Sequence, residues 1–148
     1  QAVVSMFSCI ARQEVIDPSC APHLNAGELL PSGIAAFIAA IQRVRTIGAG
    51  DVFMDIGSGV GNVMAQFVLS TSVRASIGLQ NVEVYAEDVE RIELSMIYPF
   101  SSATIVFANN SRFEPSTTNH ITSELVYMTD AWIVAFTSEI CPRHSPTC

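Results

Sequence analysis

Residues 51 to 67, DVFMDIGSGVGNVMAQF, set a short apolar run directly against three glycines at alternate positions, Gly57, Gly59 and Gly61. Val60, Val63, Met64, Phe67 and Val68 then recur at helical spacing. An unbroken apolar run of this length is the pattern of a strand buried on both faces, and the recurrence at three and four is that of an amphipathic helix. The glycines therefore occupy a strand-to-helix turn, where a backbone without side chains allows something to approach closely. Free N–H groups of the turn are expected to point past the strand's carboxyl end, the place where open α/β sheets bind ligands.

The flanking sequence repeats the alternation. Ile34, Phe37, Ile38, Ile41 and Val44 predict a helix from Pro31 to Ile47, with proline acceptable in the first turn and Gly48 just past the end. RASIGLQ and NVEVYAEDV read as short strands, ATIVFANN as a strand, Ile121 to Met128 as a helix and AWIVAFT as a further strand. Strand and helix in turn imply an α/β fold, and 148 residues suffice for one domain. A hydrophobic share of 49% with 14% charged residues excludes disorder. No apolar stretch reaches the roughly 18 residues that span a bilayer, so a soluble chain without a membrane partner is expected. The chain opens on Gln1 without the zones of a signal peptide, and the missing initiator Met points to a fragment.

All seven positive charges are arginine, and fourteen acids bring the formal charge to −7. Neutralising nucleic-acid phosphates needs a basic face, which this chain as a whole does not offer, so direct DNA contact is not expected. The balance suits a cationic partner such as a basic protein tail, although net negative charge also serves solubility alone. Cys9, Cys20, Cys141 and Cys148 lie near the two ends. The tail CPRHSPTC offers Cys141, His144 and Cys148, one ligand short of a structural zinc site and widely spaced, so no metal is expected.

The spacing G-x-G-x-G is neither the G-x-G-x-x-G of dinucleotide folds nor, without a following lysine, a phosphate-cradling loop. Asp55, just ahead of the glycines, would repel a phosphate and attract an ammonium or sulfonium. A cofactor carrying positive charge is implied. S-adenosylmethionine fits, with its ammonium, its sulfonium and a nucleoside that lies flat against a glycine backbone; a turn serving helix–sheet packing alone is the plain alternative.

VFMDIGSGVGNVMAQ taken together with IVFANNSRFEP resembles the disruptor-of-telomeric-silencing family, histone H3 lysine methyltransferases that lack a SET domain. The form nearest in kind is the short, divergent one of protists. The similarity runs from about Asn25 to His144, leaving 1–24 as an N-terminal segment and 145–148 as a tail. It implies a class I S-adenosylmethionine-dependent methyltransferase fold, a Rossmann-like three-layer α/β sandwich, here incomplete. It also implies histone H3 in nucleosomes as partner and a nuclear location.

By the same resemblance Asp55, Gly57, Ser58, Gly59 and Asn62 line the S-adenosylmethionine pocket. Glu28, in AGELL, sits near the methionine part, and Asp88 bonds the adenine amino group with Val89 in place of the family's usual aromatic. Asn109 lies beside the transferring methyl and Phe113 walls the lysine channel, which makes these two the catalytic candidates. Read alone, Asn109 would be a strand-end turn residue and Phe113 core.

Three departures stand out. Gln80 occupies the position of the acid that usually holds both ribose hydroxyls, and an amide forfeits the charge-assisted pair. GLQ runs into NVEVYAEDV with almost nothing between, whereas parallel neighbours need a crossover of about a dozen residues. Strands two and three would then form a hairpin, or one is not a strand, or the chain is truncated or misjoined. No final antiparallel pair follows AWIVAFT, which leaves an edge open to self-association. A catalytically silent domain of the same fold that binds a basic peptide, and a methyltransferase for another substrate such as RNA, remain alternatives to a histone H3 lysine methyltransferase.

Overall fold

The computed structural model describes residues 29–79 and 89–140. Pro31 opens helix α1 (Pro31–Val44), where its missing N–H costs nothing, and the helix stops as the chain turns extended at Arg45. Ile34, Ile38 and Ile41 form its buried stripe. Val44, expected on that face, is exposed; the apolar seam continues instead through buried Ile47, beyond the helix.

The strands are β1 (Val52–Ile56), β2 (Ala75–Leu79), β3 (Ile105–Ala108) and β4 (Ile133–Phe136), joined in the order β2-β1-β3-β4. All three pairings are parallel. Every residue of β1 and β3 is buried, as strands covered on both faces require. Helix α2 (Asn62–Ser70) carries the crossover from β1 to β2, and helix α3 (Pro115–Leu125) that from β3 to β4.

Because side chains alternate along a strand, Phe53, Ile105 and Phe107 face one layer with α1 and α2. Met54, Ile56, Val106 and Ala108 face the other, beside Ile121 of α3 and Ile92, Leu94 and Phe100 of the chain before β3. Three layers result, as the family resemblance implies. In the first layer Phe53 and Phe67 stack with ring centroids 3.8 Å apart, and Phe37 lies 5.0 Å from Phe107.

The crossover difficulty takes a different form in the structure. β3, the next strand after β2, pairs on the opposite side of β1, and residues 80–104 lie between them, ample for a crossover. The described end of NVEVYAEDV, Val89, opens a 3₁₀ turn, Val89–Arg91; its other residues lie outside the described ones. α3 begins at Pro115, six residues ahead of the helix predicted from Ile121. Among the described residues no helix is long and apolar enough to cross a membrane.

A buried aspartate fastens the amino end of the sheet. Asp51 accepts hydrogen bonds from the Gly48 N–H (2.9 Å), the Thr104 hydroxyl (3.0 Å) and the Trp132 indole N–H (2.9 Å). Arg45 stands 3.7 Å from the same carboxylate and 4.8 Å from the centre of the Trp132 ring. Burial alone would raise the acid's pKa, but these donors and the guanidinium together hold it below its ordinary value.

Phe67 touches both helices' layer and β1, so Phe67→Ala is expected to cost about 3–5 kcal/mol of unfolding free energy. Urea denaturation measures it. A loss under about 1 kcal/mol would mean that the stack does not hold α2 to the sheet.

Candidate active site

The strand order reverses between β2 and β3, on either side of β1, and the crevice above such a reversal is where open α/β sheets bind ligands. The carboxyl ends of β1 and β3 deliver the two quoted motifs to it. Gly57, Gly59 and Gly61 have φ of 83°, 52° and 78°, the left-handed region that glycine enters without strain. A Cβ at Gly57 would also stand 2.8 Å from Cζ of Phe113, so that ring would have to shift to admit one. The turn after β1 and the segment after β3 are thus in contact, with the Phe113 ring laid on the Gly57 backbone.

One expectation is corrected here. The first N–H groups of the turn do not point into the crevice; those of Gly57 and Ser58 both donate to the Leu79 carbonyl at the end of β2, at 2.8 and 3.0 Å. The buried Ser58 hydroxyl leans on that carbonyl too, at 3.5 Å. Gly78, unremarked in the sequence, makes this possible, because a Cβ there would meet Ser58 Oγ and Met64 Sδ.

Asp55 is 1% exposed and neither carboxylate oxygen has a hydrogen-bond partner. Desolvation pushes its pKa up from the ordinary 3.8 to about 7. By the strand's alternation it faces the α1/α2 layer, as Phe53 does. An orphaned buried acid at the carboxyl end of the central strand is short of a cationic or hydrogen-bond-donating partner.

Asn109 follows β3, half buried, with φ −82° and ψ 71°. Its Oδ1 accepts from the hydroxyls of Thr137 (2.9 Å) and Ser111 (3.2 Å), which fixes the carboxamide. Asn110 is buried and braces the ends of β3 and β4: its Oδ1 accepts from the Ser138 N–H (2.8 Å), and its Nδ2 donates to the Ser138 carbonyl (3.3 Å). Both asparagines thus tie the end of β3 to the residues that follow β4, the first through Thr137 and the second through Ser138. Thr137 and Asn110 were not singled out from sequence, since their partners are distant along the chain.

Asn62 commits its amide to backbone, Nδ2 to the Leu29 carbonyl (3.0 Å) and Oδ1 to the Val63 N–H (2.9 Å). Val89 packs in the apolar layer with Ile56 and Leu79. Glu28, Gln80, Asp88, the four cysteines and His144 lie outside the described residues.

The family profile described as Histone methylation protein DOT1 matches residues 24–98, half of the chain. The chain belongs to this family. The Drosophila melanogaster "Histone-lysine N-methyltransferase, H3 lysine-79 specific" is 25% identical over 123 residues, covering 66% of this chain. An Aspergillus fumigatus protein of the same name is 30% identical over 128 residues, covering 69% of this chain. The chain spans 7% and 25% of the lengths of these DOT1 relatives.

The bare carboxylate makes stability depend on pH. A folded-state pKa raised above the unfolded one means that the folded chain keeps a proton the unfolded chain gives up. Stability therefore falls as pH rises from about 4 to about 7 and is level above, a loss of order 4 kcal/mol at about 1.4 kcal/mol per unit. Asp55→Asn is expected to remove this slope, matching the parent near pH 4 and exceeding its stability at pH 8. Urea unfolding across that range reads it; an unchanged slope would place the titration elsewhere.

Proposed function

We propose that the chain is the donor-binding and catalytic part of an S-adenosylmethionine-dependent histone H3 lysine N-methyltransferase, acting on nucleosomes in the nucleus. The observation that carries the reading is Asp55: buried, without a partner, and set at the switch point beside a glycine turn that meets the other family motif. Membership of the DOT1 family and the names of the two relatives support the substrate class.

Asp55 would hold the ammonium of the donor and the side-chain-free face of Gly59 would admit its nucleoside, with Gly57, covered by the Phe113 ring, and Ser58 bracing the turn. Gln80 is assigned to the ribose hydroxyls, Asp88 and Val89 to the adenine, and Glu28 to the methionine part. When bound, the donor supplies a methyl group on sulfonium, open to attack by a neutral amine. Phe113 would wall the approach of the lysine. Asn109, its carboxamide held by two hydroxyls, would orient the incoming nitrogen; a neutral amide suits a step that needs alignment more than proton transfer. The chain's net charge of −7 favours a basic histone segment as partner.

Calorimetric titration with S-adenosylmethionine, followed by methylation of recombinant nucleosomes, tests the reading. Asp55→Ala is expected to weaken binding by about ten- to a hundredfold, the range of a hydrogen bond to a charged group. Failure of a demonstrably folded parent chain to bind, or methylation of RNA in place of histone, would overturn the proposal.

Binding is also expected to release a proton. The ammonium favours the charged carboxylate, so affinity should rise with pH up to about 7 by as much as about tenfold per unit, and level off beyond. Titrations in buffers of different ionisation enthalpy detect the released proton, and its absence would separate Asp55 from the ligand.

A further inference from the structure

Gln66 sits in the α2 stripe among apolar residues, 7% exposed, and its Oε1 has no hydrogen-bond partner. A leucine or methionine would fill the same position without burying an idle acceptor, which is costly. What the amide supplies is its donor: Nε2 bonds the Pro31 carbonyl at 2.8 Å. One turn earlier on the same face, Asn62 Nδ2 bonds the Leu29 carbonyl at 3.0 Å. Two amides of α2 thus grip alternate carbonyls at the start of α1.

The place of this grip matters. α1 ends just before β1 begins, so its first turn lies at the opposite, carboxyl end of the sheet. It covers the face to which Asp55 belongs. Leu30, the helix's N-cap, makes no side-chain cap bond, so the start of α1 is held from outside, by the helix that springs from the glycine turn.

We infer that Gln66, acting with Asn62, is a positioning residue of the donor site, holding the start of α1 against the glycine turn over the end of the crevice where Asp55 lies. This rests on the proposed methyl-donor reading. The clamp would act on the amino-acid end of the donor, the end Asp55 anchors, and leave the nucleoside end alone. It grips backbone only, so it works whatever side chains occupy residues 29–31.

The test compares two ligands, S-adenosylhomocysteine and 5′-methylthioadenosine, which lacks the amino-acid part. Gln66→Met, of similar length and with no donor, is expected to lose about tenfold in affinity for the first, the order of one buried hydrogen bond, and to stay within about twofold for the second. Equal losses for both ligands would show a role in packing alone, and no loss for either would remove the role; both results overturn the inference and leave the methyl-donor reading standing. If Gln66→Met does not fold, Asn62→Ser, at a half-buried helix start, decides by the same ratio. A folded parent chain that binds neither ligand overturns the methyl-donor reading and this inference with it.

Discussion

Every side chain from Val52 to Ile56 is buried, and the sheet hangs on that central strand. A strand covered on both faces cannot bring a carboxylate near either end without a partner for it or a shift in its proton affinity. The chain does both. At the amino end Asp51 is surrounded by donors and holds its charge cheaply; at the carboxyl end Asp55 has none and holds a proton more readily than an ordinary carboxylate. The first aspartate fastens the sheet, and the second leaves a demand that the folded chain by itself does not meet. Most of what the molecule can do follows from that difference between two acids four residues apart.

The rest of the site is arranged around the demand. Leu79 at the end of β2 takes up the first N–H groups of the glycine turn, which fixes the turn's height above the sheet. Phe113 closes on Gly57 from the β3 side, and Asn110 ties β3 to β4 through Ser138. None of these bonds needs a ligand to form. The crevice is built by strand ends and backbone, and the groups assigned to chemistry are laid on top of it.

Elements with strong local patterns were legible in the sequence. The strand–glycine–helix unit and the parallel alternation are read from spacing, because period and turn chemistry are local properties, whereas the pairing of two distant motifs rests on the family resemblance. α3 was read late, since PSTTN has the composition of a loop, and only the burial of Thr118 and Ile121 against the sheet makes it a helix. Hydrophobicity alone puts Val68 and Val44 on the buried stripes, whereas both side chains are turned to solvent. Gln66 was passed over for the converse reason: a polar residue inside an apolar stripe has no meaning until the carbonyl it reaches, thirty-five positions away, is known. Thr137 was hidden in the same way behind its bonds to Asn109 and Asn110.

The bonds at Asp51 reach forward 53 and 81 positions, to Thr104 and Trp132. The aspartate that precedes β1 therefore gains its full set of donors only after the segments that bear Thr104 and Trp132 have been made. Until β3 is made, the apolar run VFM of β1 has only β2 beside it, and an open apolar edge of this kind invites association with other chains. The amino end of the described sheet is fastened only once the segment that carries Trp132 has joined it, and the interval before that is the one in which a chaperone has the most to protect.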